Sequence, residues 1–316
     1  MSLVSVIVAL YHPDYKKLSN TLHSILNQKE VALEIILADD GSKDPNMKEW
    51  IESFFITNNY EKYIVVQHQY NQGTIKNVVS AINKCRGKYV YLTSPGDLLF
   101  DDYVLTDFLK KGEESECSII FGDAVSYSYD GESIHFYPEW RRPKKPQIYN
   151  GQNDKLALTA YLFGNQILGA ACFLKREIAL KYFRESENCA KYMEDTVGYT
   201  LALINGEKIR YYKRNMIWYE NGSGVSTSND SKWDAVLSEE KLSMFKYIQM
   251  NYPKNRAVEA ALHKKQCRNR YADYIHRCIF HPLISLQIIY IHILPITKCS
   301  LTEGDKQRLQ NLVCTV

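Results

Sequence analysis

Apolar positions fall into two rhythms along the first part of this chain. Leu3–Leu10 (LVSVIVAL) is a continuous β-branched run, the pattern of a strand buried on both faces. Tyr15–Gln28 then sets Leu18, Leu22, Ile25 and Leu26 on one face at helical spacing. The alternation repeats. Leu33–Ala38 predicts a strand, Asn46–Phe55 a helix with Pro45 at its start, and Tyr63–Gln67 a third strand. Thr74–Cys85 predicts a helix and Tyr89–Thr93 a fourth strand. This order predicts an α/β fold whose central sheet is mostly parallel, flanked by helices and joined by right-handed crossovers. In such sheets ligands bind beyond the carboxyl ends of the strands.

The rhythm then changes. Cys117–Tyr127 and Ser133–Tyr137 flank Tyr129-Asp130-Gly131, a hairpin signal. Glu139–Pro146 (EWRRPKKP) reads as a basic, proline-bearing loop, either solvated or placed to meet a phosphate of a ligand. Asp154–Phe163 and Asp195–Ile204 predict helices; Ala170–Leu174, Lys208–Lys213 and Met216–Tyr219 predict strands. From Ser231 onward only helical patterns remain. This predicts a main domain over 1–230 and a C-terminal helical extension over 231–316. Ile279–Ile296 is the most hydrophobic stretch of that extension. It is too short for a span and is interrupted by His281, Pro282, Gln287, His292 and Pro295. It either packs on the main domain or touches a membrane shallowly, helped by Lys264, Lys265, Arg268, Arg270 and Arg277.

Bulk numbers narrow the class. With 45% apolar and 24% charged residues, the chain of 316 residues can build a sizeable core. A net charge of +3 gives no footprint for nucleic acid, so none is expected as a partner. The eight cysteines are scattered, without CxxC or metal-type spacing, and several sit in apolar runs. The opening MSLVSVIVALYHPD lacks the length and basic flank of a signal peptide. Both features lead us to expect a cytoplasmic protein, with any membrane contact peripheral and on the inner face.

Candidate chemistry collects at strand ends. Ala9, Leu10 and Tyr11 follow the first strand. Asp39-Asp40-Gly41-Ser42 follows the second, a tight turn whose carboxylates can accept from a base imide and a ribose hydroxyl. Asn71-Gln72-Gly73-Thr74 opens the third helix, with Lys76 in its first turn; a glycine there lets a phosphate or sugar approach exposed N–H groups. Ser94-Pro95-Gly96-Asp97 follows the fourth strand. Each alone is an ordinary turn. Together, in order, they describe a site for a charged ligand.

The segments SVIVALYHPD, EIILADDGSKD, NQGTIKNVVSAINKCRGKYVYLTSPGDLL and YMEDTVGYTLALINGEKI resemble the family 2 glycosyltransferases of GT-A fold, over about Met1 to Thr227. The resemblance implies a nucleotide-sugar donor, a UDP-sugar first, and a glycan or lipid-linked acceptor in surface polysaccharide synthesis such as capsule or O-antigen. It implies that Ala9, Leu10 and Tyr11 line the base pocket, that Asp39 holds the base and that Asp40 supports the turn. Gly73, Lys76 and Ser94 would face the nucleotide. Asp97 would hold Mn2+ or Mg2+, and Asp195, after Glu194, would be the general base of an inverting displacement. Asp195 can also serve as the acidic complement of a helix N-terminus. Ile217–Thr227 resembles a segment that closes over the donor, with Gly222 and Gly224 as hinges and Trp218 and Tyr219 stacking on a sugar. Asp123, at another strand end, is a candidate acceptor contact.

One departure stands out. The family pattern Asp-x-Asp-Asp is here Ser94-Pro95-Gly96-Asp97, so two acids are missing. This keeps open both metal-independent transfer and a degenerate member that only binds nucleotide or glycan. A sugar-nucleotide nucleotidyltransferase would want a glycine-rich basic loop where Tyr11-His12-Pro13-Asp14 stands, and no GxGxxG supports a dehydrogenase.

Overall fold

The computed structural model describes residues 2–222 and 231–314. The first elements alternate as the periodicity predicts. They are β1 (Leu3–Leu10), α1 (Tyr15–Leu26), β2 (Ala32–Asp39), α2 (Met47–Thr57), β3 (Tyr63–Gln67), α3 (Thr74–Ile82) and β4 (Tyr89–Thr93). β1 pairs in parallel with β2 and β4, and β2 with β3. The order β3-β2-β1-β4 therefore brings four carboxyl ends to one edge of the sheet.

The two faces of β1 are buried by different helices. Val4, Val6 and Val8 share a cluster with Leu18, Leu22 and Ile25 of α1 and with Ile51 and Phe55 of α2. Ile7 points the other way, into a cluster with Ile36 of β2 and Ile75, Val78 and Ile82 of α3. The period of 2 in the strand sorts these side chains between layers, and the uniform apolarity reflects burial on both sides. α1 begins where the Asp14 carboxylate accepts the N–H groups of Lys16 (2.8 Å) and Lys17 (3.1 Å), an N-cap.

The chain continues through β5 (Leu98–Leu99), α4 (Val104–Glu114), β6 (Ile119–Tyr129), β7 (Ile134–Tyr137) and α5 (Asp154–Leu162). β8 (Cys172–Lys175), α6 (Arg176–Ser186), α7 (Glu194–Ile204) and β9 (Ile209–Glu220) follow. Among the described residues one nine-stranded sheet runs β3-β2-β1-β4-β8-β6-β9-β5, with β7 on β6. β8 is antiparallel to β4, Tyr91 lying opposite Phe173. Its lead-in therefore reaches the sheet at the carboxyl end of β4.

Two details depart from the periodicity. β9 is one strand where a break at Arg214-Asn215 was predicted. The register slips there: Phe121 faces Tyr211, yet Asp123 faces Asn215. The extra β9 residues bulge out, and Arg214 reaches Asp101 (2.7 Å) and Asp107 (2.9 Å). α4 and α6 were not among the predicted elements, although Val104, Leu105, Phe108 and Leu109 recur at helical spacing in α4. α4 is fixed by burial of Leu105, Phe108 and Leu109, and α6 follows β8 with no intervening turn residue.

Beyond residue 230 the extension is helical as expected: α8 (Ser231–Asn251), α9 (Arg256–Gln266), α10 (Arg270–Phe280), α11 (Pro282–Ile293) and α12 (Glu303–Cys314). α8 and α9 bury Met244, Phe245, Ile248 and Val258 in the cluster that holds α3 and α7. α12 puts Leu309 and Val313 into the cluster on the other face. Among the described residues no helix is long and apolar enough to cross a membrane.

The turn after β2 depends on Gly41. Its φ is +77°, and a Cβ there would lie 2.6 Å from the Tyr70 carbonyl carbon. Gly131 has φ +102° but open space around it. Gly41→Ala should lower unfolding stability by about 1–3 kcal/mol, and by more than Gly131→Ala, which adds backbone strain alone. Equal losses in denaturant titrations would remove the packing argument at Gly41.

Candidate active site

Three strand ends carry the residues expected to face a nucleotide. At β2, Asp39 is fully buried. Its carboxylate accepts the Ser42 N–H (3.1 Å), the Ser42 hydroxyl and Gln67 Nε2 (3.1 Å). Asp40 accepts the N–H groups of Gln72 (2.7 Å) and Gly73 (2.8 Å), and donates its own N–H to the Leu10 carbonyl (2.9 Å). Asp40 thus ties together the ends of β1 and β2 and the entry to α3. Beside it, Ala9 is partly exposed, Leu10 is buried and Tyr11 is 54% exposed, its ring edge-on to His12 at 4.4 Å.

The entry to α3 differs from its sequence reading. Gly73 takes φ +94°, but its open face is filled by the side chain of Lys191. The Lys191 carbonyl accepts the Ile75 N–H at 3.0 Å. With the Gln72 and Gly73 N–H groups spent on Asp40, this helix start is closed to a phosphate as it stands. Glycine is needed for close packing of Lys191. Lys76 stays exposed on the first turn, free of that plug.

At β4, Ser94 is exposed and Asp97 is 5% exposed, its side chain turned inward. Asp97 accepts the Ser94 hydroxyl (3.2 Å) and the Glu220 N–H (3.2 Å). Burial pushes the Asp97 carboxyl up to about 7, and the charge of Glu220 adds to the rise. Glu220, at the end of β9, is a second acid at this turn that no local motif announces. A Cβ on Gly96 would overlap Glu220 Oε2, so this carboxylate occupies the space a side chain at 96 would enter. Lys17 Nζ pairs with it at 2.8 Å.

A divalent cation at this turn would meet two carboxylates, Asp97 and Glu220. Mg2+ and Mn2+ need convergent oxygen ligands. Asp97 is inward and hydrogen-bonded, Gly96 and Pro95 bring no ligand side chain, and Glu220 already holds an ammonium. Among the described residues no group of three or more His, Cys, Asp or Glu side chains converges to hold an ion. The Mn2+ or Mg2+ expected at Asp97 would have to draw most of its ligands from a diphosphate and water.

Asp195 lies by the lead-in to β8, the strand next to β4. It stands in the first turn of α7, against Gly169 in the lead-in to β8. Its carboxylate accepts the N–H groups of Gly169 (3.2 Å) and Thr196 (2.6 Å) and the Thr196 hydroxyl (3.2 Å). Burial holds the Asp195 and Glu194 carboxyls above the ordinary carboxylate range, and Asp195 pushes Glu194 further. A raised pKa suits a base working near neutral pH.

A cavity of about 280 Å³ opens next to Gly169, lined by Trp140, Arg142, Lys144, Leu168, Tyr219 and Asn221. The loop Glu139–Pro146 therefore divides its basic residues. Arg142 and Lys144 stand exposed at the cavity with Glu139, while Arg141, also in its lining, is 3% exposed and pairs with Asp123. Asp123 also accepts the Tyr211 hydroxyl at 2.9 Å, so it anchors the loop and is not open to an acceptor. Trp218 is fully buried, stacked on Phe100 at 4.6 Å, and has no face for a sugar; Tyr219 reaches the cavity. Gly222 ends the described part of the segment that follows. Gly224 and the rest of it to Thr227 lie outside the described residues.

Residues 5–171 match the sequence model described as Glycosyl transferase family 2, more than half of the chain. The chain belongs to this family. Glycosyltransferase GlyG of Streptococcus pneumoniae serotype 4 is 29% identical over 138 residues, 43% of this chain and 43% of GlyG. The uncharacterized protein y4gI of Sinorhizobium fredii is 28% identical over 142 residues, 44% of this chain and 15% of y4gI. The matched stretch is thus less than half the length of either relative. Among solved structures, S. aureus TarS 1-349 in complex with UDP superposes with a TM-score of 0.54 at 12% identity, covering 99% of this chain and 79% of that one. Its complex with UDP-GlcNAc gives 0.56 at 14%, with coverage of 99% and 79%. At these identities the likeness shows the fold, and the family 2 chain has the GT-A type architecture that the resemblance implied.

The buried Asp97 gives a pH test. Its pKa lies above the unfolded value of 3.8, so the fold favours the protonated form. That stability is full below about pH 4 and is lost as pH rises through about 7. Asp97→Asn, which keeps the shape without the charge, should compare more favourably with wild type at pH 8 than at pH 5 in thermal unfolding. The same difference in Tm at both pH values would show that the carboxyl is not forced to ionise in a buried place.

Proposed function

We propose that this chain is an inverting hexosyltransferase. It moves one sugar from a nucleotide-sugar donor, a UDP-sugar, to a hydroxyl of a glycan or lipid-linked acceptor during synthesis of a surface polysaccharide such as capsule or O-antigen. The observation that carries the proposal is Asp195. It is a carboxylate with a raised pKa, held by the Gly169 N–H beside the carboxyl end of β4 and next to the cavity. The UDP and UDP-GlcNAc complexes of TarS support the choice of donor.

In this reading the base lies on Ala9, Leu10 and Tyr11, over the turn that Asp39 and Asp40 hold. Ser94 and Lys76 stand at the diphosphate side. The acceptor enters by the cavity, where Arg142 and Lys144 favour an anionic acceptor. Asp195 takes the proton of the acceptor hydroxyl as its oxygen attacks the anomeric carbon. The bond from that carbon to the diphosphate oxygen breaks on the opposite face, so one displacement inverts the centre. The diphosphate leaves with added negative charge, which Lys76 meets; Asp97 would hold a divalent cation that adds to this neutralisation. Residues 1–230 form the transferase unit and 231–316 its helical extension. All eight cysteines are free, in keeping with a reducing, cytoplasmic setting.

Asp195→Asn should lower transfer by about 10²- to 10⁴-fold while leaving UDP affinity by calorimetry unchanged. In wild type, kcat/KM should rise with pH through a midpoint above the ordinary carboxylate value of 3.8. Surviving transfer in the variant would remove Asp195 as the base. A wild-type chain that binds UDP but transfers nothing would favour the binding-only scaffold.

A further inference from the structure

The helices α10 and α11 turn apolar faces outward. On α10, Tyr271 (83% exposed), Tyr274, Ile275 and Ile279 (64%) recur at helical spacing. On α11, Leu283 (74%), Leu286 (63%), Tyr290 and Ile293 (73%) do the same. The buried residues of the two helices are Asp273, Ser285 and Ile291. Packing on the main body thus accounts for little of the most hydrophobic stretch in the extension. Such inverted amphipathicity marks a surface made for contact.

Charge decides between kinds of contact. From Lys264 to Thr302 the sequence holds Lys264, Lys265, Arg268, Arg270, Arg277 and Lys298, against one acid, Asp273. Asp273 is 5% exposed and is consumed by Arg277 and by His263 at 3.1 Å. Lys264, Lys265, Arg268, Arg270 and Lys298 are exposed. A second copy of the chain, docked by a two-fold axis, would set this patch against itself, cations facing cations with no exposed acid between them. An anionic lipid surface answers both the apolar face and the charge.

We propose that α10 and α11 dock the protein on an anionic membrane surface, lying flat at the boundary of headgroups and acyl chains. At 11 and 12 residues the helices reach roughly 18 Å at most, too short to span and long enough to lie in the interface. α11 is fixed to the acceptor side of the molecule. Lys145 Nζ donates to the carbonyls of Ile291 and of His292 (2.7 Å), and Thr159 donates to Gln287 (2.6 Å). Lys145 belongs to the loop whose Arg142 and Lys144 line the cavity, so a surface held by α11 lies one loop from that cavity. The docking face stands independently of the donor chemistry.

Flotation of the full chain with vesicles tests this. It should bind phosphatidylcholine vesicles containing phosphatidylglycerol, bind pure phosphatidylcholine vesicles more weakly, and release as salt rises. Leu286→Glu with Ile293→Glu should lower vesicle affinity at least about tenfold. Both positions are exposed, so the melting temperature and UDP binding should not change. Arg268→Glu with Arg270→Glu should remove the preference for phosphatidylglycerol. Vesicle binding by the Leu286/Ile293 variant equal to wild type would overturn the proposal, as would a wild type that ignores anionic vesicles. A dimer in sedimentation that the same variant dissociates would assign the face to a second copy instead. Loss of UDP binding in wild type would bear on the transferase reading and not on this one.

Discussion

Carboxylates buried at the ends of β2 and β4 hold the site together. Asp39, Asp40 and Asp97 are each 5% exposed or less. A buried acid is costly unless its oxygens meet donors, and here the donors are hydroxyl, amide and backbone N–H groups of the neighbouring loops. Each acid therefore sets the course of a loop. Asp40 draws the entry of α3 against the end of β2, and Asp97 draws the end of β9 against the turn after β4. The carboxyl edge of the sheet is rigid because leaving any of these oxygens without a partner is expensive.

The local order was legible. Val4, Val6 and Val8 against Ile7, and the helical spacing of Leu18, Leu22 and Ile25, encode the doubly covered sheet without help from distant residues. So was the turn at Asp39–Ser42, since paired acids with Gly and Ser favour that geometry. What stayed hidden is non-local. Glu220 meets Asp97 across more than a hundred residues, Lys191 closes the start of α3, and Gly169 holds Asp195. No spacing rule reports such meetings, because they follow from how the strands are ordered. The same cause explains Trp218, whose type suggested a sugar platform and whose place in β9 buries it under Phe100.

The loop Glu139–Pro146 shows how composition misleads when read as one unit. Its charge suggested a single basic surface. Arg141 and Lys145 instead serve the fold, one pairing with Asp123 and the other with the last carbonyls of α11, where a helix favours positive charge. Arg142 and Lys144 keep their charge at the cavity. The structural pair aims the other two. Asp123 belongs to the same division of labour, spent on Arg141 and Tyr211 and lost to a ligand.

Gly96 and Glu220 share one volume. A side chain at 96 would have to push the end of the Glu220 side chain aside. An acid restored at 96, to rebuild the pattern common in the family, would collide with Glu220 and strain a backbone at φ +99°. Shortening Glu220 would open room for it and would hand the half-exposed ammonium of Lys17 to solvent. Three positions far apart in the chain therefore meet at one turn. Changes at Gly96 and Glu220 would therefore not add as changes at independent sites do.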